Sequence, residues 1–349
     1  MDDTSSSLPQ PQRARLEWID GLRWVAAAAV VIQHATSYAA ISAVSGYAGN
    51  ALWTGWVINT LLRFPVPVFF FLSGYVGTHK PRTIAYRMRF SAVRLAVPYL
   101  VWSSIYTCLA LVTHAVSYDD LSALAAAVLT ARNGLHLWFL ASLVVITPIG
   151  GALWQRFGRR VWAPAFVAAL AAGGWYSYSM VWHSTVATLC RMVIIPLGLY
   201  VSGALFSSMR RDGAPLSPAV RAFSTITPLL FALSLVEAYL AEYALSPHWG
   251  FGQQNYVTLI LASIALCIWS SSSASAFVLE TWRRLSLLPR VTLGVYCLHM
   301  AVLDLVRQML PFLKYGLIGQ LGSGVVTFFL AAAIAYGMSR IRFLRPLVA

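Results

Sequence analysis

Ten runs of about 20 mostly apolar residues, separated by short polar or basic stretches, dominate this sequence, and that is the length a helix needs to cross the hydrocarbon of a bilayer. They fall at 22–40, 54–78, 91–113, 135–154, 161–177, 186–206, 223–244, 255–272, 288–310 and 317–339. A soluble fold is nearly excluded, because 10% of the 349 residues are charged, against roughly 25% in an ordinary soluble domain. With 13 Trp and a mean hydropathy of +0.69, the apolar residues cannot all hide in one core, so lipid must solvate much of the surface. The expected fold is all-α, a polytopic bundle of about ten transmembrane helices. Residues 1–16, rich in Asp, Ser, Pro and Gln, read as a disordered tail before one membrane domain at 17–349. A long first apolar run with nine more behind it argues against a cleaved signal peptide.

The formal net charge of +14 would suit nucleic acid if it clustered on a soluble face. It lies instead in the loops, so the bilayer, and no nucleic acid, is the expected partner. With the N-terminus inside, Arg13, Arg15, Lys80, Arg82, Arg87, Arg89, Arg156, Arg159, Arg160, Arg210, Arg211, Arg221, Arg283, Arg284, Arg290, Arg340, Arg342 and Arg345 are cytoplasmic, and only Arg132 and Lys314 face the other way. That satisfies the positive-inside rule at every cytoplasmic loop and puts both termini in the cytoplasm. The same loops suit an anionic cytoplasmic molecule. Cys108, Cys190, Cys267 and Cys297 lie inside apolar runs with no C-x-x-C pair, so neither a disulfide framework nor a metal site is expected.

Ionisable groups within spans are costly and are functional candidates by default. Arg23, His34, Arg63, Arg94, Arg191, Glu237, His299, Asp304 and Arg307 fall in this class. Eleven residues separate Arg23 from His34, and eleven steps of about 100° return to within roughly 20° of the same face, about 16 Å further along the helix. Arg23 is therefore expected at the cytoplasmic mouth, with Asp20 three residues earlier to hold it, and His34 near mid-membrane. Arg63 and His299 fall at similar depth, and Tyr296, three residues before His299, is expected on the same face to orient the imidazole. Three polar groups at one level suggest a shared cavity. Asp304 and Arg307 read as an i, i+3 ion pair, and Glu237 and Arg191 as either mutual partners or substrate contacts.

The run Ile19-Asp20-Gly21-Leu22-Arg23, with His34 eleven residues after the arginine, resembles the first-span signature of the acyltransferase-3 family of integral-membrane acyltransferases. Arg63-Phe64-Pro65-Val66-Pro67-Val68-Phe69-Phe70-Phe71-Leu72-Ser73-Gly74-Tyr75, His136-Leu137-Trp138-Phe139-Leu140 and Val295-Tyr296-Cys297-Leu298-His299-Met300 resemble further family motifs in the expected order. One departure stands out. Relatives often carry two arginines three residues apart before the proline that opens the third span, whereas here Arg94 precedes Pro98 and position 91 is Ser91.

The resemblance implies transfer of an acyl group, commonly acetyl, from acyl-CoA to a hydroxyl of a carbohydrate or other acceptor, with no metal. Coenzyme A is a cytosolic polyanion, so Arg23, Arg87, Arg89 and Arg94 at one mouth suit its phosphates. His34 is expected as general base, with an acyl-histidine as the other route, and Arg63 as the group that stabilises the oxyanion. Glu237, His136, Trp138 and Trp249 on the outer side suit a hydroxyl-rich ring.

Leu72-Ser73-Gly74 lacks the first glycine of a nucleophile elbow and reads as close helix packing. The outer aromatics read as an interfacial belt or as sugar-stacking groups. A transporter or exporter of a lipid-linked glycan or small hydroxylated molecule is the rival reading, although no internal repeat supports it. The expected location is the bacterial cytoplasmic membrane. With ten residues after the last span, acceptor handling is expected within the membrane domain or by a separate protein.

Overall fold

Helix is the one regular structure open to a backbone in hydrocarbon when no barrel closes, because each N–H then finds its carbonyl within the segment. The computed structural model describes residues 10–37, 50–78, 82–118, 120–178, 185–211, 215–244, 256–273 and 275–349, and among these there is no strand. The first apolar run lies on one continuous helix, α1 (Gln10–Ala35). It is followed by α2 (Asn50–Leu61), α3 (Pro65–Gly77), α4 (Ile84–Ser91), α5 (Val97–Val112), α6 (Leu121–Leu129), α7 (Trp138–Phe157) and α8 (Trp162–Tyr178). The rest comprises α9 (Thr185–Leu189), α10 (Ile195–Arg211), α11 (Pro218–Thr225), α12 (Thr227–Tyr239), α13 (Val257–Ser272), α14 (Ala276–Ser286), α15 (Thr292–Met309) and α16 (Gly316–Arg340).

Each apolar run coincides with a described helix or helix pair. Five continuous stretches, Trp53–Gly77, Ile84–Val112, Trp138–Ser177, Thr185–Arg211 and Gly316–Arg340, are long and apolar enough to cross a membrane, and two bent pairs raise that number to as many as seven. The chain is an integral membrane protein, and its exposed Leu109, Val112, Val325, Phe329 and Leu330 suit a lipid solvent. Two of the described helices, α6 and α14, fall wholly outside the ten runs, and α4 overlaps them only at Ser91. In α6, the Asp120 carboxylate caps the first turn by accepting from Ala123 N–H at 2.7 Å, which holds its pKa below the usual carboxylate value. In α14, Trp282 packs directly on Gly21 of α1, where a Cβ would crowd the indole.

Prolines inside spans free a carbonyl four residues earlier, and in a dry interior that carbonyl needs another donor. Pro148 in α7 frees Val144, whose carbonyl accepts from Ser91 Oγ at 2.6 Å. Pro196 frees Met192, which accepts from Ser142 Oγ at 2.5 Å. At the bend between α11 and α12, the Ser224 carbonyl accepts from Thr227 Oγ1 at 2.7 Å. Ser91, the departure from the family pattern, therefore has a structural role, since it is buried and its hydroxyl ties α4 to α7.

Lipid gives no hydrophobic drive to bring helices together, so close van der Waals fit must do it. A Cβ on Gly74 of α3 would overlap the Tyr200 carbonyl of α10, and a Cβ on Gly203 would overlap the Phe71 carbonyl in return. The packing role read for Ser73-Gly74 holds at Gly74, and the Ser73 hydroxyl donates back to Phe69 O at 2.7 Å. Three widened π-helical turns, Ala92–Ala96, Cys190–Ile194 and Leu240–Ala244, each carry a charged residue, Arg94, Arg191 and Glu242 respectively. Turns of this kind recur at functional sites.

Candidate active site

Because α1 is unbroken from Arg23 to Ala35, the shared face expected for Arg23 and His34 is built in. At the Arg23 end, Nη1 donates to Asp20 Oδ1 at 3.0 Å, and Arg290 reaches the other Asp20 oxygen at 3.3 Å. Arg23 lines a cavity of about 460 Å³ together with Arg82, Tyr86 and Arg87. Arg87 is buried, donates from Nη1 to the Gly77 carbonyl at 2.8 Å, and keeps a buried Nε without a hydrogen-bond partner. An unmet guanidinium N–H in a basic cavity fits an anionic oxygen. Arg89 and Arg94 are exposed and do not line this cavity.

Arg23, Ser73 and Leu143 are shared with a smaller cavity of about 110 Å³, walled by Phe69, Leu72, Phe139, Leu293 and Tyr296. The two cavities are neighbours, the larger one basic and the smaller one mainly aromatic and apolar, and among the described residues no histidine lines either. Tyr296, on the wall of the smaller cavity, has its ring 5.8 Å from that of His136 and 5.9 Å from that of His299. The His34 ring lies 5.1 Å from His299, and His299 lies 5.0 Å from His136. Tyr106 of α5 closes the group with its ring 4.9 Å from His136, while its hydroxyl donates to Cys297 O at 2.8 Å. The Nε2 atoms of His136 and His299 are buried without hydrogen-bond partners. A buried polar atom left unmet costs about 1–3 kcal/mol, so a hydrogen-bonding guest at the cluster would offset that cost.

Several expected partners are rearranged. Tyr296 does not orient His299 through its hydroxyl: that group donates to the His136 backbone carbonyl, and the imidazole Nδ1 of His299 instead faces the Tyr296 backbone carbonyl at 2.5 Å. The two rings do lie side by side, 5.9 Å apart, but the Tyr296 hydroxyl is taken by the His136 carbonyl. Arg63 lies fully buried in the break between α2 and α3, where Pro65 opens the next helix. Its guanidinium pairs with Glu242 and donates to Asn59 Oδ1 at 3.2 and 3.3 Å, and it lines neither cavity. That engagement does not fit an oxyanion role.

Glu237 and Arg191 do not compensate each other. The Glu237 carboxylate accepts from Val257 N–H at 2.9 Å and Thr258 N–H at 2.8 Å, serving as a cap for the first turn of α13. Arg191 sits 5.3 Å over the Trp138 ring and hydrogen-bonds Tyr176. The Asp304–Arg307 pair does not form among the described residues, and Arg307 donates to Ala35 O at 2.6 Å. Trp249 lies outside the described residues.

Sequence reasoning missed Glu242, Asn59, Arg82 and Tyr106. Glu242 is a carboxylate inside the 223–244 run, and Asn59 stands four residues before Arg63, so both carried a signal. Tyr106 carried none.

A polytopic helical membrane protein thus holds a basic cavity at the Arg23 end of α1 and a cluster of three histidine rings at its His34 end. The chain matches the acyltransferase-3 family, described as an acyltransferase domain, over residues 16–340. It belongs to that family, and acyltransferase is its activity class. Comparison with curated proteins and with solved structures gives no match.

Proposed function

We propose that this protein is an O-acyltransferase that takes an acyl group, acetyl foremost, from cytoplasmic acyl-CoA and delivers it to a hydroxyl of a carbohydrate acceptor, with His34 as general base. The observation that carries this reading is a basic cavity lined by Arg23, Arg82 and Arg87 beside a smaller one walled by Tyr296, whose ring lies 5.8 Å from His136 and 5.9 Å from His299. A mouth of about 460 Å³ is in the range of small-molecule sites, whereas about 110 Å³ is far below it and suits a group of a few heavy atoms. Arg23 and Arg87 bind phosphate. Phe69, Phe139 and Tyr296 exclude water around a short acyl group. His34 takes the hydroxyl proton of the acceptor as its oxygen attacks the thioester carbon, and the thiolate leaves toward the mouth. His299 and His136 extend the proton path from His34.

The reading includes ten spans, cytoplasmic termini and a bacterial cytoplasmic membrane. Its support is the gathering of loop arginines at one end: Arg211 donates to Thr78 O at 3.2 Å, Arg210 to Ser271 O at 3.5 Å, and Arg290 reaches Asp20 at 3.3 Å. In this topology Asp119→Cys is labelled from outside by an impermeant maleimide and Asp212→Cys only after permeabilisation. Labelling of both from one side contradicts it. The acceptor enters from the outer face toward His136 and Trp138.

Arg23→Ala is expected to raise KM for acetyl-CoA about 10- to 100-fold with little change in kcat, since a hydrogen bond to a charged group contributes about 1.5–3 kcal/mol. Arg87→Ala behaves the same way. Unchanged KM in both variants rules out this mouth as the coenzyme site.

A further inference from the structure

The last turn of α1 lies in the buried interior, where its carbonyls need hydrogen-bond donors. Neither hydrocarbon nor apolar side chains can supply the donors. Polar side chains do: Thr36 Oγ1 and Ser37 Oγ donate to Gln33 O at 3.2 and 3.1 Å, and from other helices Asn59 Nδ2 of α2 donates to Gln33 O at 2.6 Å and Arg307 Nη2 of α15 to Ala35 O at 2.6 Å. Gln33 and Ala35 are the residues on either side of His34. Asn59 also reaches the Thr36 hydroxyl at 3.3 Å, so its amide holds α1 on both sides of the imidazole-bearing residue.

Asn59 is itself fixed. Two donors of Arg63 converge on its Oδ1, which forces the NH₂ group toward Gln33. Arg63 is held by Glu242, and Glu242 also accepts from Trp56 Nε1 at 2.9 Å and from the Tyr256 hydroxyl. All five side chains are at most 4% exposed. A buried ion pair is a weak source of net stability, because desolvation offsets most of its attraction. Its retention beside the candidate base therefore points to geometry.

We infer that Asn59, locked in orientation by the Arg63–Glu242 pair, is a positioning residue that sets the placement of His34 through the Gln33 carbonyl. The inference rests on His34 acting as the base. A misplacement of about 1 Å in a reacting group can cost about 100-fold in rate, so the clamp would act on turnover and not on coenzyme affinity.

The test is steady-state kinetics of purified full-length protein with acetyl-CoA and a glycan acceptor, alongside thermal unfolding in the same detergent. Asn59→Asp keeps the acceptor that Arg63 uses and removes the NH₂ donor to Gln33. It is expected to lower kcat about 10- to 100-fold with KM for acetyl-CoA within roughly twofold of wild type. Asn59→Ala, which introduces no new carboxylate near Glu242, gives the same split should the aspartate variant fold poorly. A lowered melting temperature with unchanged kcat per folded molecule in either variant overturns the positioning role. His34→Ala in the same assay separates the two ideas. If it is inactive while the Asn59 variants are normal, only the clamp is wrong, and if it is active, the assignment of the base is wrong.

Discussion

His34→Ala is expected to lower turnover about 100- to 10,000-fold while leaving acetyl-CoA affinity within a few fold of wild type. The two effects separate because Arg23, which lines the basic cavity with Arg87, is about 16 Å along α1 from the imidazole, which does not line that cavity. The His34 ring packs 5.1 Å from His299, and alanine leaves the helix intact, since it is the best helix former. Isothermal titration with coenzyme A and initial-rate kinetics measure the two quantities. Near-normal turnover contradicts the assignment, and a labelled peptide containing residue 34 after rapid quenching would move the mechanism to an acyl-histidine.

The second large effect concerns stability. Removing one member of a fully buried ion pair leaves the other charge stranded, at a cost of about 3–5 kcal/mol. Glu242→Leu and Arg63→Met are each expected to fall sharply in melting temperature, because both side chains are completely buried. The double variant is expected to be more stable than either single one, since well-packed apolar residues can replace a buried pair without net loss. Its turnover should remain low, because Asn59 loses the donors that orient it. Additive destabilisation in the double variant contradicts the coupling, and fluorescence-detected size-exclusion melting reads all three.

Much of the architecture was legible because the bilayer imposes so simple a rule on length and apolarity. The apolar runs locate the helices, and the eleven-residue spacing of Arg23 and His34 survives because nothing in α1 breaks it. What escaped were the partners of buried charges. Arg63 read as a free cation at the depth of His34, but its partner Glu242 comes from a helix end 179 positions away, which helical spacing cannot reach. Glu237 likewise read as a substrate group, when a helix start 20 residues on needs its oxygens as a cap. Asp304 and Arg307 have the right spacing for a pair, yet the guanidinium donates to the Ala35 carbonyl of α1. In each case a backbone group or a charge without water prevailed over the local partner. The histidine cluster lies between these extremes: His34 and His299 were expected at one depth, and His136 joins them through the packing of α7 against α15.

The central claim is that His34 transfers an acyl group from a coenzyme bound at the Arg23 and Arg87 mouth. Oriented proteoliposomes supplied with acetyl-CoA, labelled in the acetyl group, on the side of that mouth and with an impermeant glycan on the opposite side test it most directly. The expected result is ester-linked label on the glycan with wild-type protein and none above background with His34→Ala. Label at equal rates in both proteins, or wild-type protein that moves glycan across the bilayer without labelling it, would contradict the account.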